Sequence, residues 1–198
     1  MEVYLEPYRD ETFDDYFEVY LEENSNSILG REMQRQIARA SLEASYYIIR
    51  AIRHQRTREH LGYCMIVDTA PRDWEVGIYI LERHRHKGVG KAALPLFLDE
   101  VSALGGKDEF WARILVGNDA SRRLFEGLGA ILDRTEVIGG LENSKLEREL
   151  AKRGETIDPE RLEQLTRIEA LVLGSRREIW VYRIPWPRKS CPQHSDSR

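Results

Sequence analysis

Along this chain, stretches in which every second residue is apolar give way to stretches in which every third or fourth is. "VYLEP" (3–7) alternates apolar with polar and stops at a proline, the pattern of an edge strand. Two helical patterns follow, about 11–22 and 31–43, joined by the turn-forming "NSNS" (24–27). "SYYIIRAI" (45–52) and "LGYCMIV" (61–67) flank a polar, basic connection and predict a hairpin, and "WEVGIYI" (74–80) supplies a fourth strand. Val89, Ala92, Ala93, Leu96, Phe97, Val101 and Leu104 then recur at spacings of three and four, which predicts a helix with one apolar face, kinked at Pro95.

"EFWARILV" (109–116) is the next strand, with Phe110, Ala112, Ile114 and Val116 on one face. "NDASRRLFEGLG" (118–129) predicts a short helix capped by Asn118 and closed by Gly129. "AILDRTEVI" (130–138) and "REIWVYRI" (177–184) read as a strand pair interrupted by a largely helical insertion at about 140–172. That insertion has its own start signal at Asp158-Pro159 and repeats Leu162, Leu165, Ile168 and Leu171 at helical spacing. The order predicts a single α/β domain over 1–184, followed by a disordered tail, 185–198, rich in Pro, Ser, Lys and Arg.

Composition narrows the classes. A chain of 198 residues and 23.1 kDa can bury one substantial core, and 41% hydrophobic with 32% charged residues is the balance of a soluble globular protein. No apolar run approaches the roughly 18 residues that span a bilayer. "MEVYLEPYRD" lacks the basic-then-apolar pattern of a secretion signal, so the expectation is a cytoplasmic protein with no membrane partner. Cys64 and Cys191 fit neither a disulfide framework nor a zinc site and read as inert. A net charge of −4 argues against nucleic-acid binding. The distribution is uneven: residues 1–30 hold nine acidic side chains and one basic, Arg9, whereas 50–58 and 83–91 are basic.

The candidate chemistry lies in "ERHRHKGVGKAA" (82–93), where a predicted strand becomes a predicted helix. A tight glycine turn before a helix N-terminus presents several unpaired backbone N–H groups to one point, with the positive end of the helix dipole behind them. A phosphate or pyrophosphate fits there, with Arg85, Lys87 and Lys91 adding charge, and a side chain at Gly88 or Gly90 would hold it off. The spacing is wrong for two familiar phosphate loops. Lys91 is followed by Ala92 and no glycine stands five residues before Gly90, so this is not a nucleotide-triphosphate loop. The residue three after Gly90 is Ala93, and no acidic residue of a dinucleotide fold follows.

Arg85-His86-Lys87-Gly88-Val89-Gly90 resembles the acyl-CoA pyrophosphate motif [QR]-x-x-G-x-[GA] of the GCN5-related N-acetyltransferase (GNAT) family. Ile78-Tyr79-Ile80 stands where that family has a strand end ahead of the loop, and "NDASRRLFEGLGA" (118–130) resembles its second motif. The resemblance runs from about Trp74 to Ala130. It implies a mixed, mostly antiparallel central sheet of about seven strands flanked by helices, with the insertion between the last two. It also implies acetyl-CoA as co-substrate, no metal, and a primary amine on a small molecule or peptide as acceptor, attacked directly. The fourth and fifth strands would splay, the backbone of Ile78, Tyr79 and Ile80 would pair with the pantetheine chain, His86 and Val89 would complete the loop, and Asn118 would reach the cofactor or reacting centre.

Each of these readings has a rival. His84-x-His86 could hold a metal, but solvated loop histidines are commoner. Glu75 could be the general base or an acid facing water. Phe125 stands where the resemblance expects a tyrosine that protonates the leaving thiolate. It cannot do so, and it could equally be core packing. The insertion suits a lid or a dimer contact. Glu11, Asp14, Asp15, Glu18, Glu22 and Glu23 could line an acidic wall for a cationic acceptor, or simply be a solvated helix face. A non-catalytic acyl-CoA-binding module is the rival to an acyltransferase as a whole.

Overall fold

The computed structural model describes residues 1–25, 27, 29–43, 47–67, 74–138 and 177–187. The elements run β1 (Val3–Glu6), α1 (Phe13–Glu23), α2 (Arg31–Glu43), β2 (Ile48–His54), β3 (His60–Ile66), β4 (Val76–Ile80), α3 (Val89–Gly105), β5 (Glu109–Leu115), α4 (Asp119–Gly127), β6 (Ile131–Ile138) and β7 (Arg177–Pro185), with single 3₁₀ turns at 10–12 and 82–84. The insertion expected at 140–172 and the tail beyond 187 lie outside the described residues. Trp186 is 6% exposed, its indole N–H donating to Asp99 at 2.9 Å, so the chain is fixed past the boundary expected at 184.

The described residues hold seven strands, but they do not form the one sheet expected. They make a four-stranded sheet, β1-β2-β3-β4, and a three-stranded one, β5-β7-β6, antiparallel throughout. Among the described residues the two meet through one parallel bridge, between Glu75 and Trp111, where the Trp111 N–H donates to the Trp74 carbonyl at 2.9 Å. Past that point β4 and β5 part. The fork is pinned by side chains: Arg113 pairs with Glu75 and lies 3.7 Å from Glu136.

The four-stranded sheet is covered on both faces, and β4 shows why its residues alternate. Val76, Ile78 and Ile80 join the cluster that contains α3, while Tyr79 packs with Tyr63 and Met65 against α1 and α2. On α3 the buried residues are Val89, Gly90, Ala93, Leu94, Phe97, Leu98 and Val101, whereas Leu96 and Leu104 are 45% and 63% exposed. The stripe is therefore rotated from the one periodicity favoured. The helix is apolar on more than one side, and the rows 90-94-98 and 93-97-101 are those that meet the sheets. The helix continues through Pro95.

At the N-terminal end, Arg35 and Arg39 of α2 lie over the Phe13 ring, 4.9 and 4.1 Å from its centroid, and end on Asp14 and Asp10, both at 2.8 Å. Exposed pairs of this kind contribute about 0–1 kcal/mol each, and their aliphatic stems shield the ring. Deeper, Arg53 joins Glu6 and Asp15, each at 2.7 Å. His60, 5% exposed, sits beside them with Nε2 2.7 Å from the Tyr8 hydroxyl. Burial pushes the His60 imidazole down to about 4, with Arg53 adding to the effect and Asp15 opposing it.

Gly62 faces Ile80 across the β3–β4 pair at φ +147°, and a Cβ there would lie 2.1 Å from the Tyr79 carbonyl oxygen. Gly62→Ala should therefore cost about 3 kcal/mol or more and lower Tm by roughly 6–12 °C. Gly30→Ala, where a Cβ meets nothing within 4 Å, should leave Tm within about a degree. Calorimetry on both variants checks this. His60 gives a second expectation. Its folded pKa lies below the ordinary 6.5, so the unfolded chain takes up the proton first as pH falls, and stability present above about 6.5 is lost toward 4. Between pH 7 and 4.5 the parent should lose about 2 kcal/mol more than His60→Gln in urea melts; parallel curves would remove His60 from the acid response.

Candidate active site

The parting of the sheets leaves one edge of β4 open. Leu81 N–H donates to the Leu61 carbonyl at 3.0 Å and Val67 N–H to the Glu75 carbonyl at 2.8 Å. Alternation along the antiparallel pair then assigns the N–H and C=O of Gly77 and Tyr79 to β3, and turns those of Val76, Ile78 and Ile80 toward the missing neighbour. A cleft of about 550 Å³ lies along this edge.

Three segments line the cleft: Ile78, Tyr79 and Ile80 of β4; His84, Arg85, His86, Gly88, Val89, Gly90 and Lys91 of the loop and the start of α3; and Asn118, Ala120, Ser121, Arg123 and Leu124 at the start of α4. The sequence reading named ten of these. Three of the expected residues lie elsewhere: Lys87, described below, and two others. Glu75 sits at the fork, paired with Arg113. Phe125 is 3% exposed in the core. Its carbonyl accepts from Ala130 N–H at 3.1 Å while Gly129 N–H reaches Glu126, a helix-ending arrangement that draws Phe125 and Ala130 into one apolar cluster. Phe125 is packed, as one of its two readings held. Ser121, Arg123 and Leu124, in the first turns of α4 after the Asn118 cap, also line the cleft, and no motif in the sequence singles them out.

The loop forms a glycine cradle, a turn that leaves backbone amides free at the start of α3. His86 (φ +59°) and Gly88 (φ +79°) are both left-handed, and Gly88 caps α3, whose first internal bond is Ala92 N–H to the Gly88 carbonyl at 3.2 Å. The amides of Val89, Gly90 and Lys91 consequently have no acceptor within the helix. The two glycines serve different ends. A Cβ at Gly88 would enter open space, so its conformation is what requires glycine; a Cβ at Gly90 would lie 2.8 Å from Leu124 Cδ2, so Gly90 lets α4 approach. Asn118 accepts from Ser121 N–H at 3.2 Å through Oδ1, which leaves its amide nitrogen for a ligand.

The charges are arranged differently from the sequence expectation. Lys87 Nζ donates back to the Arg83 carbonyl at 2.6 Å and does not line the cleft. Arg85 turns away from the cradle: Nε donates to the Ile80 carbonyl at 3.0 Å, and Nη2 to the Tyr79 hydroxyl at 3.0 Å and to Glu22 at 3.4 Å. Lys91 and Arg123, exposed on opposite walls and without an ion pair among the described residues, carry the positive charge instead. Tyr79 donates to Glu22 at 3.2 Å, and burial followed by the Glu22 charge pushes its phenol up to about 12, so it stays protonated.

His84 is 7% exposed rather than solvated, because the 3₁₀ turn folds its ring inward against Glu59. Nε2 is 3.2 Å from a Glu59 oxygen but too poorly aligned for a hydrogen bond. Burial lowers its pKa. Among the described residues, no group of three His, Cys, Asp or Glu side chains is placed to hold a metal. The acidic wall is largely compensated: Asp14, Asp15, Glu18 and Glu22 pair with Arg35, Arg53, Arg83 and Arg85, and Glu23 accepts from Tyr63.

Comparison with known proteins agrees with this geometry. Among curated proteins none matches the sequence. Solved structures share the fold at low identity. A spermidine N-acetyltransferase from Vibrio cholerae, in complex with CoA and spermine, has 12% identity over 92% of this chain and 95% of that one, with a TM-score of 0.63. The same organism's spermidine/spermine N-acetyltransferase in complex with manganese ions gives 12%, 93%, 92% and 0.62. An acetyltransferase from Salmonella typhimurium that modifies the N-terminal serine of ribosomal protein L7/L12 gives 13%, 92%, 94% and 0.63. The model of the acetyltransferase (GNAT) domain matches residues 2–131, from β1 through the open edge, the glycine cradle and α4, and the chain belongs to that family of N-acetyltransferases.

Proposed function

We propose that the protein transfers an acetyl group from acetyl-CoA to a primary amine by direct attack. The observation that carries this reading is the continuity of one cleft, from the cradle at the start of α3 to the open backbone of Ile78 and Ile80. A pyrophosphate would rest on the amides of Val89, Gly90 and Lys91 between Lys91 and Arg123. The amide-bearing chain of the cofactor would lie along β4 as an added strand, held by Ile78 and Ile80. That length of contact fixes the thioester against the sheet and replaces much of the entropy cost of meeting the amine.

The acceptor would then attack the thioester carbonyl carbon. An N–C bond forms, the C–S bond breaks and the sulfur leaves as thiolate. Of the three protons on the incoming ammonium, one stays on the amide nitrogen, one ends on the thiol and one goes to water. Phe125 has no proton to give. The hydroxyls that line the cleft belong to Tyr79 and Ser121, and the raised pKa of Tyr79 makes it a donor rather than a base. The structural neighbours named above act on a polyamine or on a protein N-terminus, and both are amines. The compensated acids of α1 argue for an acceptor chosen by close contact.

Lys91→Glu with Arg123→Glu should weaken acetyl-CoA binding by about 100-fold, measured by calorimetry, with Tm nearly unchanged, since both side chains are exposed. Unchanged affinity would move the cofactor out of this cleft. Thiol release measured with acetyl-CoA and a panel of polyamines, amino acids and N-terminal peptides should depend on the acceptor. Tight CoA binding with no release for any amine would favour the acyl-CoA-binding module over the enzyme.

A further inference from the structure

Arg85 belongs to the glycine loop, yet its guanidinium is spent across the sheet edge from the cradle. It takes the Ile80 carbonyl, one of the backbone groups on the open edge, and it also lies over the Tyr79 ring, 5.4 Å from the centroid, within reach of Glu22. Glu22 is further fixed from the end of α1: one of its oxygens accepts the Glu82 N–H at 2.7 Å and the Tyr79 hydroxyl at 3.2 Å. A carboxylate held by a backbone amide and a phenol, beside an aromatic face, is a seat for a cation. The cation that occupies it here is the protein's own.

Two ligands of an acyl transfer would therefore meet the same side chain. The cofactor's amide chain needs the Ile80 carbonyl that Arg85 Nε holds, and a charged acceptor needs the carboxylate that Arg85 Nη2 holds. The hold is weak. The Arg85 and Glu22 side chains are 44% and 28% exposed and 3.4 Å apart, a separation at which such pairs add little. Resting on the acyltransfer reading above, we propose that Arg85 is an internal competitor that acyl-CoA displaces from Ile80, and that its departure uncovers Glu22 and Tyr79 as the seat for a cationic group of the acceptor. Cofactor would bind first and acceptor second, through an exchange of hydrogen bonds at one residue.

The test follows the arginine directly. In protein labelled with ¹⁵N-arginine, the Arg85 Nε–H signal, assigned by its loss in Arg85→Ala, should show slow solvent exchange in the free protein and speed up as CoA is added. By calorimetry, 1,4-diaminobutane should bind the CoA complex about tenfold more tightly than the free protein. In Arg85→Ala that ratio should fall to about one, with CoA affinity unchanged or raised by up to about fivefold. Glu22→Gln should remove diamine binding in both states while leaving CoA affinity intact. The proposal is overturned if the diamine binds both states of the parent equally or fails to bind the CoA complex, if the Nε–H signal ignores CoA, or if Arg85→Ala weakens CoA binding by more than about fivefold, as a phosphate ligand would. Failure of the parent to bind CoA at all would be a different result, removing the acyltransfer reading itself.

Discussion

The bridge between Glu75 and Trp111 is the only paired contact between β4 and β5 among the described residues, and the β4 backbone beyond it has no strand partner on that side, only the Arg85 guanidinium on the Ile80 carbonyl. Unpaired N–H and C=O groups in a dry interior would each cost on the order of 1–3 kcal/mol, so the fork is tolerable only because it opens onto a cleft. The Arg113 guanidinium, set between Glu75 and Glu136, occupies the base of the fork and keeps the strands joined there. The same divergence determines where α3 begins. The chain must leave the end of β4 and cross to β5, and the turn at its start delivers the free amides of the helix to the end of the open edge.

Neighbouring residues of β4 consequently work on different sides of the sheet. Ile78 and Ile80 put their side chains under α3 and their backbone on the open edge, while Tyr79 points to α1 and meets Glu22. A strand only five residues long thus connects the open edge of the cleft to the N-terminal helices. Gly62 permits this closeness, since any side chain there would strike the Tyr79 carbonyl and push β4 off its partner. Fold stability and the geometry of the cleft are set at one position.

Much of this was legible in the sequence. The apolar runs predict the seven strands found among the described residues, and the strand-glycine-helix junction, the Asn118 cap and the family resemblance together reach all three cleft segments. The number of sheets was not legible, because the register at which "EFWARILV" meets β4, and the point at which it leaves, depend on tertiary packing around Trp74 and Arg113. Side-chain direction was the other loss. Nothing local in "RHRHKG" says that Arg85 turns back toward Glu22, sixty-three residues earlier in the chain, while Lys87 bonds its own turn. Between the two readings of Phe125 the helix decides. One residue of helix is a 100° rotation, so Leu124 meets the cleft and Phe125 the core.

The acidic N-terminal segment has a different character once its partners are in place. Asp10, Asp14, Asp15, Glu18 and Glu22 each face an arginine, so what the sequence presents as a block of negative charge is a row of short dipoles. The potential of a dipole falls with the square of distance even before salt acts, and screening ends it within about 8 Å in physiological buffer. An amine diffusing toward this face is therefore steered only weakly. Whatever preference the protein has among amines must then be expressed in how long each one stays.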